Sequence, residues 1–194
     1  MPFKSLDHFS FLAPFYDHVI HLESVEKIIA SADLPITGPL LDVGGGTGRV
    51  SGALQGMASA RIIADLSLGM LRQAAAKDGL QTICSHSEKL PFADETFGRI
   101  IMVDALHHVC DQTQTANELW RVLAPGGYLV IEEPDLRTVA IKLVALAEKL
   151  ALMRSHFLAP SEIASLFDFP QADIRIETEP DGFNAWVIVR KSVH

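Results

Sequence analysis

A glycine-rich turn between two apolar patterns constrains the fold more than any other stretch of this sequence. Residues 39–43, PLLDV, form a short apolar run that is typical of a buried parallel strand. Four of the next five residues are glycines, namely Gly44, Gly45, Gly46 and Gly48. Apolar residues then recur at the spacing of one helix face over residues 50–57. A strand, a tight glycine turn and a helix in this order are typical of the start of a nucleotide-binding unit.

An acidic residue close to the glycines indicates which ligand the turn can accept. Asp42 lies two positions before Gly44, at the carboxyl end of the predicted strand. The glycine spacing is also one residue shorter than the dinucleotide fingerprint. Since a carboxylate repels a pyrophosphate and attracts an ammonium group, the turn favours a ligand with a ribose and an amino-acid end. An ordinary strand-to-helix connection would also account for the glycines.

Strand-like and helical patterns alternate through the first two thirds of the chain. The predicted strands cover residues 39–43, 61–65, 80–85, 99–103 and 128–131, and the predicted helices cover residues 22–32, 50–57, 67–77 and 111–123. This alternation predicts a parallel sheet with helices on both faces. Polar residues stand where the strands end, namely Asp42, Asp65, His86, Asp104 and Glu132. Because ligands bind beyond the carboxyl ends of such strands, we expect these residues to surround one site.

Asp65 is the second acidic residue for which the spacing suggests a ligand. It ends the second strand, at about the distance from the glycines at which folds of this class place the acid that binds a ribose. The alternative is a strand-end carboxylate that caps the following turn. Ser67 and Asp111 are predicted N-caps of the two helices that follow.

The last third of the chain has a different organisation. Residues 136–153 form an amphipathic helical pattern, which either packs on the sheet or forms a lid or a dimer seam. Ser161 is a predicted cap of a short helix. Residues 173–177 and 185–190 predict an antiparallel strand pair at one sheet edge, joined through residues 180–182.

Length and charge limit the remaining possibilities. At 194 residues the chain suits one domain, with a flap and helix (1–36), a ligand-binding core (37–135) and C-terminal helices and edge strands (136–194). The net charge of −8 argues against a nucleic-acid partner. Cys84 and Cys110 lack metal-ligand spacing, so we expect reduced thiols and no metal. No apolar run is long enough to cross a membrane, and a cytoplasmic protein is expected.

Five segments occur in a fixed order within residues 9–135: LLDVGGGTGRV, RIIADLSLGML, SEKLPFADETF, VDALHHV and RVLAPGGYLVI. Together they resemble the class I S-adenosylmethionine-dependent methyltransferases, in particular the small-molecule branch around the ubiquinone and menaquinone enzymes. The resemblance implies a Rossmann-like, doubly wound α/β fold. Its seven-stranded sheet would be mostly parallel with an antiparallel last strand. It also implies S-adenosylmethionine as cofactor and S-adenosylhomocysteine as product.

The resemblance further implies which residues bind the methionine part of the cofactor. The turn formed by Gly44, Gly45, Gly46 and Gly48 would run past it. Asp42 would orient the ammonium group, while Asp104 and Ala105 would line the floor below the sulfonium. Tyr16 would belong to an N-terminal flap over the cofactor.

For the adenosine part, the resemblance implies that Asp65 holds the ribose and that Leu66 and Met70 lie beside the adenine. The other side of the adenine would be flanked by the consecutive residues His86, Ser87 and Glu88. The family often has Gly-Asp where this chain has Ser85-His86. A histidine accepts a hydrogen bond only when its ring is neutral, so the adenine contact differs here.

Methyl transfer to an oxygen or nitrogen acceptor requires a base with a pKa near the working pH, and histidine meets this requirement. His107 and His108 follow the fourth strand and are the first candidates, with His18 and His21 second. The alternative is that they are loop histidines without a catalytic role. A carbon or thiolate acceptor would need no protein base.

We therefore predict methyl transfer to a small-molecule acceptor that is apolar or aromatic. A quinone is not specifically predicted, because residues 183–187 do not match the C-terminal glycine-containing stretch of the quinone enzymes. Two alternatives stay open: a methyltransferase-like binding module, and an NAD(P)-dependent oxidoreductase. Partners beyond the acceptor are not indicated, and a homodimer is left open.

Overall fold

The computed structural model describes residues 22–135, 156–178 and 184–193, which contain one sheet. Its strands are β1 (Pro39–Val43), β2 (Ala60–Asp65), β3 (Leu80–Cys84), β4 (Phe97–Val103), β5 (Leu123–Pro134), β6 (Ala172–Thr178) and β7 (Asn184–Lys191). The helices are α1 (Leu22–Ser31), α2 (Arg49–Ala53), α3 (Leu68–Ala75), α4 (Gln112–Val122) and α5 (Pro160–Ser165). A short 3-10 helix, Leu106–His108, follows β4.

The seven strands lie in the order β3-β2-β1-β4-β5-β7-β6. Neighbouring strands from β3 to β5 pair in parallel, whereas β7 is antiparallel to both β5 and β6. The predicted doubly wound, mostly parallel sheet with an antiparallel last strand is thus confirmed. Successive strands run outward from β1 to β3, and the order then reverses at β4. The adjacent carboxyl ends of β1 and β4 therefore form the switch point at which such sheets bind ligands.

Helices cover both faces of the sheet because its central strands are apolar on both sides. Leu40 and Leu41 are fully buried neighbours that point to opposite faces. Leu41 joins Ile100 in the larger apolar cluster, which includes residues of α4 and α5. Leu40 joins Ile101 in the second cluster, which includes residues of α1. Continuous apolar runs in β1 and β4 are thus explained by burial between two layers of helices.

Both predicted N-caps of the longer helices are confirmed. The Ser67 hydroxyl accepts from the Met70 N–H at 3.4 Å, and Asp111 Oδ1 accepts from the Gln114 N–H at 2.8 Å. The predicted cap Ser161 is wrong, because α5 begins one residue earlier, at Pro160, with Ala159 as its N-cap. Proline suits the first position of a helix, where its missing N–H costs no hydrogen bond.

Two predicted boundaries differ from the structure. Helix α2 ends at Ala53 and not near residue 57, and the Ser51 carbonyl close to its end accepts from Arg61 Nη1 at 2.6 Å. Strand β5 begins at Leu123, directly after α4, and not at residue 128 as predicted, so residues 125–127 lie inside this strand. The register between β4 and β5 shifts there, which accommodates Gly126 at φ +77°.

Several predicted features lie outside the described residues: the flap at 1–21, the helix at 136–153 and the turn at 180–182. The division into domain parts stays a prediction. Among the described helices, none has the length and apolar character needed to span a membrane.

Gly48 was predicted to touch the cofactor, and the structure gives it a packing role. Its φ is +72°, and a Cβ there would lie 2.6 Å from Leu80 Cδ1 and 2.7 Å from Ile63 Cδ1. The absence of a side chain thus lets the start of α2 approach β2 and β3.

We expect Gly48→Ala to lower the free energy of unfolding by about 2–4 kcal/mol, from left-handed strain plus overpacking. Gly56→Ala is the matched control, because Gly56 has φ +79° and no atom within 4 Å of its Cβ position. It should cost only about 1 kcal/mol. Urea unfolding of the two variants measures the difference, and equal losses would contradict a steric role for Gly48.

Candidate functional site

A cavity of about 470 Å³ opens at the carboxyl ends of β1 to β4. Thirteen of the predicted site residues line it: Asp42, Gly44, Gly45, Gly46, Asp65, Leu66, Met70, His86, Ser87, Glu88, Asp104, Ala105 and His108. Gly48 and His107 are not among the lining residues, and Tyr16 lies outside the described residues. Residues from four separate loops are therefore brought to one site by the parallel sheet.

The glycine turn presents bare backbone to this cavity because two of its positions have no room for a side chain. A Cβ on Gly44 would lie 2.6 Å from the Ala105 Cβ, so the turn packs directly on the loop after β4. A Cβ on Gly45 would lie 2.5 Å from the Asp42 Cγ. Contacts with Ala105 and Asp42 thus require glycine at these two positions of the loop after β1.

Asp42 is a buried carboxyl group at the edge of the cavity. Its residue is 1% exposed, and its Oδ2 accepts a hydrogen bond from the Ser51 hydroxyl at 2.6 Å. Burial raises the pKa of Asp42 from 3.8 to about 6, although the Ser51 hydrogen bond and the charge of Arg49 act in the opposite direction. Because burial disfavours the ionised form of Asp42, a cationic ligand group would stabilise its carboxylate.

Asp65 connects the glycine turn to the end of β2. Its Oδ2 accepts from the Gly46 N–H at 2.9 Å, and its Oδ1 accepts from the Ser67 N–H at 2.7 Å. Asp65 thus caps the following turn, which was one of the two alternatives, and it also lines the cavity, while its binding to a ribose stays a prediction. An ionised carboxylate is an acceptor with several lone pairs, so ligand hydroxyls fit the chemistry of this group.

The loop after β3 forms the opposite wall. Glu88 Oε1 accepts from the backbone N–H groups of Cys110 and Asp111, both at 3.2 Å. The Ser87 hydroxyl lies 3.1 Å from the Thr115 hydroxyl of α4. The His86 side chain is exposed, with Nδ1 3.8 Å from Glu88 Oε2. This wall is therefore held by α4, while the His86 ring is free to meet solvent or a ligand.

An apolar shelf lies on the β2 side of the cavity. Leu66 is 57% exposed, which is unusual for a large apolar side chain that follows a buried strand. Met70 is buried next to it in α3 and also lines the cavity. Together they offer a surface for a flat, apolar ligand group.

The loop after β4 is fixed by one carboxylate that sequence reasoning missed. Glu133 Oε1 accepts from the N–H groups of Ala105 (2.9 Å) and Leu106 (2.6 Å), and Oε2 lies 2.5 Å from His107 Nδ1. Asp104 adopts φ +55° in the same loop. The pair Glu132-Glu133 at the end of β5 was the available signal, but only Glu132 was singled out.

Glu132 and His107 have structural positions that differ from those predicted. Glu132 is buried and accepts from the Asn184 amide at 2.9 Å, which links β5 to β7 away from the cavity. His107 is 3% exposed, bonded to Glu133 and stacked on Phe157 at 4.3 Å. Because its ring is enclosed in this way, the prediction of His107 as a general base is corrected to a structural role.

His108 is the candidate base that does line the cavity. Burial lowers its pKa to about 4, and the charge of His107 contributes in the same direction. The imidazole is therefore neutral at pH 7. It can form hydrogen bonds with a ligand, but its affinity for a proton is low.

Thr47, Arg49 and Cys110 are among the further lining residues that were not predicted from the sequence. Arg49 directly follows the glycine turn, and this position was the signal that could have identified it. Cys110 precedes the predicted cap Asp111. Within the described part of the chain, no group of acidic, histidine and cysteine side chains is arranged to hold a metal ion.

Comparison with known proteins gives a family match over the part of the chain that contains the cavity-lining residues. Residues 41–131 match a family described as a methyltransferase domain. The demethylmenaquinone methyltransferase of Clavibacter sepedonicus is 30% identical over 161 residues, which cover 79% of this chain and 65% of that protein. The chain spans less than two thirds of the length of this and similar curated relatives.

Solved structures show the same fold at low identity. A SAM-dependent methyltransferase from Thermotoga maritima, described as a possible histamine N-methyltransferase, has a TM-score of 0.76 at 20% identity, covering 95% of this chain and 98% of that one. The cyclase SpnF has a TM-score of 0.74 at 15% identity, covering 89% and 82%. At these identities the likeness concerns the fold alone.

The raised pKa of Asp42 makes the stability of the protein depend on pH. The folded state holds the Asp42 proton more tightly than the unfolded chain, so stability contributed by this group falls as the pH rises from about 4 to about 6. Relative to Asp42→Asn, which cannot ionise, the wild-type free energy of unfolding should decrease by about 3 kcal/mol across this window.

Urea unfolding of both proteins between pH 4 and pH 8 measures this difference. The difference should be constant above pH 7, where Asp42 is ionised in both states. A difference that does not change with pH would show that Asp42 titrates as it does in water.

Proposed function

We propose that this chain is a class I S-adenosylmethionine-dependent methyltransferase and that it transfers a methyl group from S-adenosylmethionine to a small-molecule acceptor. The observation that carries the proposal is the combination of two strand-end carboxylates, Asp42 and Asp65, around a bare glycine turn. A ligand with an ammonium group, a ribose and no phosphate matches this combination.

The described residues fit each part of this cofactor. Asp42 would meet the ammonium group, because its buried carboxylate gains most from a positive partner. Asp65 would accept from the ribose hydroxyls in addition to its hydrogen bonds from the Gly46 and Ser67 N–H groups. Leu66 and Met70 would lie along the adenine, and Ser87 and Glu88 would enclose its other side.

Bound S-adenosylmethionine supplies an electrophilic methyl group on its sulfonium. The chain's contribution is to orient the ligand and to exclude water around the transfer. Glu133 serves this by fixing the backbone of Ala105 and Leu106, the loop that forms the cavity floor. Asp104 and Ala105 would then lie below the reacting centre.

The electrostatics of His108 bear on the acceptor. With a pKa near 4, this imidazole removes a proton from an alcohol or amine inefficiently. An acceptor that is already nucleophilic, such as an electron-rich aromatic carbon or a thiolate, does not need His108 as a base, and we propose this class of acceptor first. Because similar proteins are named demethylmenaquinone methyltransferases, demethylmenaquinone is the first acceptor to assay. His18 and His21, the other base candidates, lie outside the described residues.

The two alternatives make different predictions for binding and turnover. An NAD(P)-dependent oxidoreductase would have to place a pyrophosphate beside Asp42 and Asp65, where like charges repel. A binding module would hold S-adenosylmethionine and transfer nothing. The fold of SpnF, a cyclase, illustrates that this architecture also serves other chemistry. A cytoplasmic location and a homodimer stay predictions.

We expect calorimetry to show S-adenosylhomocysteine binding and no binding of NADH. Asp65→Ala should weaken S-adenosylhomocysteine binding by one to two orders of magnitude, because about 1.5–3 kcal/mol of charge-assisted hydrogen bonding is lost. Asp173→Ala on the exposed β6 changes the net charge equally and should leave the dissociation constant unchanged. Binding of NADH alone would overturn the proposal.

A second measurement uses the two cysteines, both of which are exposed. Cys110 lines the cavity and Cys84 does not. Saturating S-adenosylhomocysteine should slow alkylation of Cys110 by iodoacetamide at least tenfold, while Cys84 reacts at an unchanged rate and serves as an internal control. Peptide mass spectrometry separates the two sites. Equal protection of both thiols, or of neither, would place the ligand elsewhere.

A further inference from the structure

The distribution of charge around the cavity is strongly asymmetric. Four carboxyl side chains line it, on Asp42, Asp65, Glu88 and Asp104. Among the described residues, Arg49 is the one lysine or arginine in the lining. A single cation in an acidic cavity has a specific electrostatic effect only if it is not neutralised by a neighbour.

Arg49 is not neutralised by a direct contact. Its half-buried side chain has no hydrogen bond or ion pair with any residue in the described ranges. Two other arginines contrast with Arg49: the buried Arg61 donates to the carbonyls of Ser51 and Asp78, and the half-buried Arg121 donates to both Glu118 and Asp94. Arg49 thus keeps its five N–H donors available at the cavity.

Arg49 also lies at the same end of the cavity as Asp42. Its charge is close enough to lower the pKa of the Asp42 carboxyl group, yet the two side chains are not an ion pair. The position of Arg49 is fixed by the start of α2, which Gly48 holds against Leu80 and Ile63. Two opposite charges are thus held near each other, and neither satisfies the other.

We propose that Arg49 binds the carboxylate of the ligand's amino-acid end, while Asp42 binds the ammonium group of the same end. The inference rests on the proposed function and assigns a specificity to one part of its site. A guanidinium is suited to a carboxylate because its planar donors match the two oxygens. The site then selects a zwitterion over a nucleoside that carries an amine alone.

The test compares three ligands with wild type and Arg49→Gln by calorimetry at pH 8. S-adenosylhomocysteine carries both charges, its decarboxylated analogue carries the amine alone, and methylthioadenosine carries neither. At pH 8 Asp42 is ionised, so a change in its own protonation does not enter the comparison.

Arg49→Gln should weaken S-adenosylhomocysteine binding about ten- to hundredfold, which corresponds to one charge-assisted hydrogen-bonded contact. Binding of methylthioadenosine should change less than twofold. Binding of the decarboxylated analogue should be unchanged or tighter, because its amine loses a repulsive neighbour. Arg49→Lys should recover part of the affinity for S-adenosylhomocysteine, since a point charge replaces a bidentate donor.

Arg72→Gln is the matched control, because Arg72 lies exposed on α3, outside the cavity lining, and the variant changes the net charge equally. It should leave all three dissociation constants unchanged. If Arg49→Gln weakened the binding of all three ligands equally, or did not weaken S-adenosylhomocysteine binding, the role of Arg49 would be overturned and the proposed function would be unaffected. If the wild-type protein bound none of the three ligands, both the proposed function and the role of Arg49 would be overturned.

Discussion

The structure of the site depends on carboxylates that bind the backbone N–H groups of loops. Asp65 accepts from Gly46 and Ser67, Glu133 accepts from Ala105 and Leu106, and Glu88 accepts from Cys110 and Asp111. In each case one side chain from a strand end or its loop fixes two N–H groups that no sheet or helix would satisfy. The acidic composition of the chain thus has a structural use, because charge-assisted contacts keep the ligand-facing backbone in place before any ligand arrives.

The range of each interaction along the chain explains which parts of the fold and of the site could be predicted from the sequence. The strands, their order along the chain and the caps at Ser67 and Asp111 follow from local patterns, and the structure confirms them. Asp42 and Asp65 were also recognisable, because strand ends in a parallel sheet converge on one edge. The structural role of His107 was not, since it depends on Glu133, which is distant in sequence and adjacent only across the β4–β5 pairing.

Boundaries failed where tertiary contacts override local preference. The Arg61 guanidinium donates to the Ser51 carbonyl, which a longer helix would use for its own hydrogen bonds. Helix α2 therefore ends at Ala53, before the apolar pattern ends. The proline and glycines at 125–127 separate the predicted helix from a strand predicted to begin at residue 128, but Leu123 already pairs with Phe97 of β4, so the strand begins earlier. Arg49 was missed for a different reason: its position directly after the glycine turn was a signal, but the local sequence does not show whether the side chain faces the cavity or the solvent.

The charge arrangement separates this site from dinucleotide sites on the same general architecture. A pyrophosphate needs backbone N–H groups that are unoccupied and an absence of nearby anions. Here the Gly46 N–H is already bonded to Asp65, and Asp42 is buried against the turn. Strand-end carboxylates therefore act twice, because they hold the glycine turn and at the same time set the sign of the ligand that can enter. Arg49, the one lysine or arginine among the described lining residues, would give the proposed ligand a direction, with its amino-acid end at β1 and its nucleoside end at β2 and β3.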